Sequence, residues 1–386
     1  MKFHRNYPQE DGKPHLLSLP QRLADDGTYT GKGVVIAFID SGFYPHPDLA
    51  GRIDLYVDAS VKEIQLNTPF DEPLPMSWHG QMTSVIAAGS GSLSDGCYRG
   101  VAPSAHVILI KVSTPKHQIK EADILRGLNW VIEHGAEYHI RVVNVSVGGD
   151  FPDNDPRHPL HVAVSTLVAQ GVTVVVASGN SGRDVVLPPA SSASVITVGA
   201  YNDQNSHDPT LWQTYPNNFG LGEGDVTKPD IYVTGRFIPS PILPSSLVDQ
   251  RAKFLIRLLD EDLDTLHLQE ILKVGRVVLK LTPLQSIRPS LKVLKKLQGW
   301  IDEYKLVDAH YQHVDGTSVS TAIVSGVCAQ LLEANPSLTP VEIKDILIQT
   351  ASSAPTTLEQ AQPNNKLINL PNALAEATRR ITRHPL

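Results

Sequence analysis

The chain has 386 residues, 41% of them apolar, and a formal net charge of −7. That length and apolar share support a globular core and exclude a disordered chain. The acidic balance argues against a broad grip on nucleic acid, and no run approaches the roughly 20 apolar residues needed to cross a bilayer, so neither nucleic acid nor membrane is an expected partner.

Residues 1–30 read as an N-terminal extension. "HLLSLP" (15–20) is too short for a signal core and carries a proline. With an initiator Met and two cysteines far apart in the chain, Cys97 and Cys328, the expectation is a cytoplasmic protein with two free thiols. A bridge between the two is the alternative. From residue 33 short apolar runs alternate with helix-like stretches. The runs are "GVVIAFID" (33–40), "AHVILIKV" (105–112), "RVVNVSV" (141–147), "GVTVVVAS" (171–178) and "ASVITVGA" (193–200). Such runs suit strands buried on both faces. Between them lie helical patterns at about 80–89, 121–135 and 158–171. The order predicts an α/β fold, a mainly parallel sheet flanked by helices on both faces. Residues 240–305 differ. Leu247, Phe254, Leu255, Leu258 and Leu259, then Leu291, Leu294, Leu297 and Ile301, recur at helical spacing among prolines. This region reads as a mostly helical insertion in a domain spanning 31–386. Beyond it, Thr339, Pro340 and Glu342 predict a capped helix start.

Four motifs fall at strand ends or helix starts, where chemistry gathers in parallel sheets. Asp40 ends the first run; its ordinary alternative is a turn-forming Asp before Gly. His79 opens a small-residue helix, and Gly80 beside it lets another backbone approach closely. The alternative is one more surface histidine among 15. Asn180 follows "VVVASG", as an amide donor or as plain turn chemistry. Ser318, in "GTSVSTAIVSG", heads a helix read from 318 to 333. Its N–H lies among the unpaired donors of the first turn, and the helix dipole favours negative charge there. The alternative is an ordinary N-cap. Together the four supply a nucleophile, a base, an orienting carboxylate and oxyanion donors.

The set "IDSG" with "HPDL", "HGQMTSVIAAG", "GVAPSA", "NVSVGG", "ASGN", "VITVGA", "KPDI" and "GTSVSTAIVSG" resembles the subtilisin-like serine peptidases. The likeness covers about 31–235 and 311–352, in that family's Asp, His, Ser order. It implies catalytic Asp40, His79 and Ser318, and an oxyanion donor at Asn180. It implies substrate binding by Ser146, Val147, Gly148 and Gly149 and by Ala177, Ser178 and Gly179, with an extended peptide added as a strand. The implied function is a serine endopeptidase acting on peptides or proteins through an acyl-enzyme, with no cofactor required for the chemistry. The alternative is a regulatory or binding module with latent or highly selective cleavage. The resemblance also makes Asp48 a candidate calcium ligand, although "SGSLSDGCYRG" does not match a calcium loop and Asp150, Asp153 and Asp155 read as a solvated turn.

The chain departs from the family in places. Gln81-Met82 follows His79-Gly80, Ala322 stands where a proline is usual, and "YVTG" (232–235) replaces an Ala-Pro-Gly ending. The insertion is expected to act as a lid, a partner surface or an oligomer contact, or else as a peripheral decoration. "HLLSLP" is a candidate inhibitory plug, and Arg183 or Asp184 a candidate influence on the substrate pocket.

Overall fold

Strands form where the apolar runs predict them, because a segment with no polar face is stable only when covered on both sides. The computed structural model describes residues 2–9, 16–114, 116–359 and 364–381. The strands of the parallel body of the sheet are β1 (Val35–Asp40), β2 (Ile53–Asp58), β3 (His106–Lys111), β4 (Ile140–Val145), β5 (Thr173–Ala177), β6 (Ile196–Asn202) and β7 (Ile231–Thr234), with short strands added at its margins. They lie in the order β7-β6-β5-β4-β1-β3-β2, every neighbouring pair parallel. The apolar-run reading missed β2 and β7. In β2, "IDLYVD", two aspartates interrupt the run near one edge of the sheet, so it lacks the signature of a doubly covered strand.

The helices that build the layers are α1 (Ser77–Ala88), α2 (Glu121–His134), α3 (Pro159–Ala169), α4 (Leu247–Leu255), α5 (Thr265–Val274), α6 (Leu291–Glu303), α7 (Thr317–Ala334) and α8 (Pro340–Gln349). Alternate residues of β1 serve opposite faces, as the two-residue period requires. Ile36 and Phe38 pack with Val85 and Ile86 of α1 and Ile323 of α7. Ala37 and Ile39 pack with Leu128 of α2 and Val164 of α3. The helix read from 318 to 333 spans Thr317–Ala334 and runs buried through the centre of the molecule. At α8 the Glu342 N–H donates to Thr339 Oγ1 (3.3 Å) and the Thr339 N–H to Glu342 Oε2 (2.9 Å).

Strands β8 (Ile238–Pro241) and β9 (Tyr311–Val314) pair antiparallel and bracket the insertion. Helices α4, α5 and α6 lie between them around a core of their own, with Leu255, Leu272, Leu297 and Ile301 buried together. The N-terminal segment straps this unit to the sheet domain. The His4 N–H donates to Gln298 Oε1 (3.0 Å), and Gln298 Nε2 returns a bond to the His4 carbonyl (2.9 Å). Further on, Leu16 is buried with Phe237 and Tyr311, and Leu19 joins the main core. Of the candidate plug, residues 16–19 are therefore buried, and none of residues 16–20 lines the cleft holding Ser318. Residue 15 lies outside the described residues. Cys97 is exposed, Cys328 is buried, and both are free, so no bridge joins them. Among the described residues no helix is long and apolar enough to cross a membrane.

Candidate active site

Asp40 is the last residue of β1 and is fully buried. Its Oδ1 lies 2.6 Å from His79 Nδ1 and accepts the Ser41 N–H at 2.6 Å. Its Oδ2 accepts from the Thr83 hydroxyl at 3.0 Å. Thr83 stands four residues after His79 on α1, so a single helix presents both the imidazole and a second clamp on its carboxylate. Gly80 sets how closely that helix approaches. A Cβ there would overlap the Gly42 carbonyl and the Phe43 ring, so only glycine lets α1 rest on the loop that follows Asp40. The His79 side chain keeps 31% of its surface exposed. Burial pulls its pKa down, but the Asp40 charge and hydrogen bond outweigh that pull, and the net value is raised above the ordinary 6.5.

Ser318 lies in the first turn of α7, which packs against α1. The turn before it needs glycine. Gly316 has φ +148°, a value side chains rarely adopt, and its N–H donates to the Gly235 carbonyl at 2.8 Å. Gly235 belongs to the "YVTG" ending, so that altered segment still anchors the turn ahead of Ser318. With Ala322 in place of proline, α7 continues without a break.

Two bonds join the loop after β5 to the start of α7. Asn180 Oδ1 accepts the Thr317 N–H (2.8 Å), and Thr317 Oγ1 accepts the Gly179 N–H (3.2 Å). With its oxygen so engaged, the Asn180 amide has its NH2 left to donate. One cleft of about 460 Å³ gathers Ser146 to Gly149, Ala177 to Asn180 and Ser318. The predicted substrate residues thus meet the predicted nucleophile and oxyanion donor.

Sequence reading missed several groups here. Asn218 lines the cleft and holds Ser181, whose N–H and hydroxyl donate to its Oδ1 at 2.9 and 2.8 Å. Asn144 Nδ2 donates to Ser146 Oγ (3.0 Å), while its Oδ1 accepts from Ser325 of α7 (3.1 Å). That chain fixes the Ser146 edge relative to the helix that carries Ser318. The only sequence signal for it was the asparagine inside "NVSVGG". Arg183 and Asp184 are exposed, and neither lines the cleft, whose described lining carries no charged side chain.

Asp48 lies elsewhere and is fully buried. Ser92 Oγ donates to its Oδ1 (2.7 Å) and the Tyr311 hydroxyl to its Oδ2 (2.5 Å). Burial, and then the bond to Asp48, raises the Tyr311 pKa, so the phenol stays a donor. Calcium needs about six to eight converging oxygens. Here both oxygens of Asp48 are engaged by hydroxyl donors instead. Among the described residues no three His, Cys, Asp or Glu side chains gather where they could hold a metal. In the acidic turn, Asp155 pairs instead with Arg157 at 2.7 Å.

Residues 31–367 match the subtilase family. Serine protease AprX of Bacillus subtilis is 32% identical over 329 residues, covering 83% of this chain and 61% of AprX. The chain thus spans less than two thirds of that relative's length. Subtilisin Savinase of Lederbergia lenta is 32% identical over 211 residues, 54% of this chain and 68% of that protein. Among solved structures, a protease from Pseudoalteromonas arctica superposes with a TM-score of 0.62 at 21% identity, over 97% of this chain and 99% of that one. Sphericase superposes at 0.60 with 18% identity, over 89% and 91%. At such identities the structures speak to fold alone, and that fold is the parallel sheet with helices on both faces described above. The match in sequence over most of the chain carries the assignment: the chain belongs to the subtilase family.

Proposed function

We propose that the chain is a serine endopeptidase that hydrolyses peptide bonds through Asp40, His79 and Ser318. The observation that carries this reading is the 2.6 Å bond between His79 and the buried Asp40, on a helix packed against the one whose first turn holds Ser318. Asp40 holds the imidazole with its Nδ1–H toward the carboxylate, which leaves Nε2 as the basic nitrogen. His79 takes the Ser318 proton as Oγ attacks the peptide carbonyl. Asn180 Nδ2 and the Ser318 N–H stabilise the oxyanion. His79 then gives the proton to the leaving amine, and water releases the acyl group by the same route in reverse.

The substrate is an extended peptide laid along Ser146 to Gly149. The chemistry draws on these groups without a cofactor. The free, exposed thiol of Cys97 supports a reducing, cytoplasmic setting. The test is labelling by a fluorophosphonate probe together with cleavage of a peptide library. Both activities are expected in the wild type and lost in Ser318→Ala. A protein that neither labels nor cleaves refutes the proposal.

A further inference from the structure

A second cleft, of about 570 Å³, begins at the residue before His79 and shares no lining residue with the first. Trp78 lines it. One wall is Pro73 and Pro75, from the loop ahead of α1. The other wall is the insertion, through Ile242, Leu247 and Val248. The indole is pinned. Its N–H donates to the Gln312 side-chain oxygen (2.7 Å), and the Gln312 NH2 donates to the Tyr304 carbonyl (3.1 Å), in the amide orientation that satisfies both. The Trp78 ring meets the His79 ring edge-on, with centroids 6.2 Å apart. Gln312 belongs to β9, whose chain runs on through Gly316 to Ser318. The second cleft therefore adjoins His79 through Trp78, and β9, which lines it through Gln312, leads along the chain to Ser318.

The chemistry says which part of a peptide comes this way. The acyl half lies in the first cleft, with Asn180 and Ser318. The leaving half receives its proton from His79, so it departs past the imidazole and onto Trp78. We infer that the second cleft takes a large apolar side chain from the part of the peptide that follows the scissile bond; the inference rests on the endopeptidase reading. The insertion then acts as a specificity element. Its wall is open to a ligand, since Leu247 is 46% exposed. Among the described lining residues Glu303 alone is charged, so acidic side chains are disfavoured there.

The test uses internally quenched peptides, identical up to the scissile bond, with Leu, Phe, Ser or Asp at each of the first three positions after it. A peptide nitroanilide, with only the dye after the bond, is run alongside. Leu or Phe is expected to raise kcat/KM over Ser by about tenfold or more at one position. Leu247→Asp should bring that ratio close to one. An acidic residue is tolerated at that place, in the first turn of α4. Leu266→Asp, on the insertion but outside the cleft, should keep the ratio. A flat profile in the wild type, or an unchanged ratio in Leu247→Asp, overturns the inference while nitroanilide hydrolysis continues. A wild type that cleaves neither kind of substrate overturns the endopeptidase reading, and this inference with it.

Discussion

Asp40 is held by four donors, two from Ser41 and one each from His79 and Thr83, and is itself buried. The carboxylate therefore has one orientation, and so does the imidazole. Because Asp40 raises the His79 pKa above 6.5, activity should appear as pH rises through a value above 6.5. Below it the base is already protonated. In Asp40→Asn the raising charge is gone and burial pulls the other way. The acidic limb of kcat/KM should then move down in pH, while kcat falls by about 10⁴-fold. A pH–rate profile of the two proteins checks both effects. The residues proposed as nucleophile, base and carboxylate, and their order, were legible in the sequence, since each sits in a short local motif. Thr83 was not. It is one of several hydroxyls on the helix, and only the contact with Asp40 separates it from Ser84, which bonds the Gly80 carbonyl of its own helix.

Among the elements, the N-terminal segment departs most from expectation. A plug would occupy the cleft, whereas Leu16 and Leu19 are core residues. Removing residues 1–20 should therefore destabilise the protein rather than activate it. Losing the buried Leu16, Leu17 and Leu19 costs about 4.5–9 kcal/mol at ordinary transfer energies. The loss is read as a lower urea midpoint, and higher activity at unchanged stability would contradict it. The helical character of the insertion was legible from its 3.6-residue spacing. Its placement was not, because spacing shows which face a helix buries and not which neighbour receives it. Here β8 and β9 carry it to α1, and its walls reach Trp78. That contact makes a lid-like accessory into a candidate specificity element.

At the scale of the whole molecule, acid should loosen the junction between insertion, N-terminal strap and sheet domain. His46 and His313 are buried there. His46 Nδ1 accepts the Asp48 N–H (3.1 Å), and His313 Nε2 bonds the Asn6 carbonyl (2.8 Å). Burial first, against the pull of nearby carboxylates, lowers each from the ordinary 6.5 to about 4. Between those values the unfolded chain binds more protons, so stability falls as pH drops from 6.5 toward 4. The double variant His46→Asn, His313→Gln should flatten that slope in urea unfolding at a series of pH values, and an unchanged slope would assign the acid sensitivity to other groups. None of this was legible in the sequence, where both were two more histidines. What the sequence by itself determined was the parallel α/β plan, the strand-end position of Asp40 and Asn180, and the helix-start position of His79 and Ser318. Those follow from periodicity and short motifs, which act over neighbouring residues. Only the tertiary structure decided that Tyr311 and Ser92 bond Asp48, that Asn218 holds Ser181 at the cleft, and that the insertion meets the histidine helix. Each of those contacts joins segments far apart in the chain, and residue spacing carries no record of the path that brings them together.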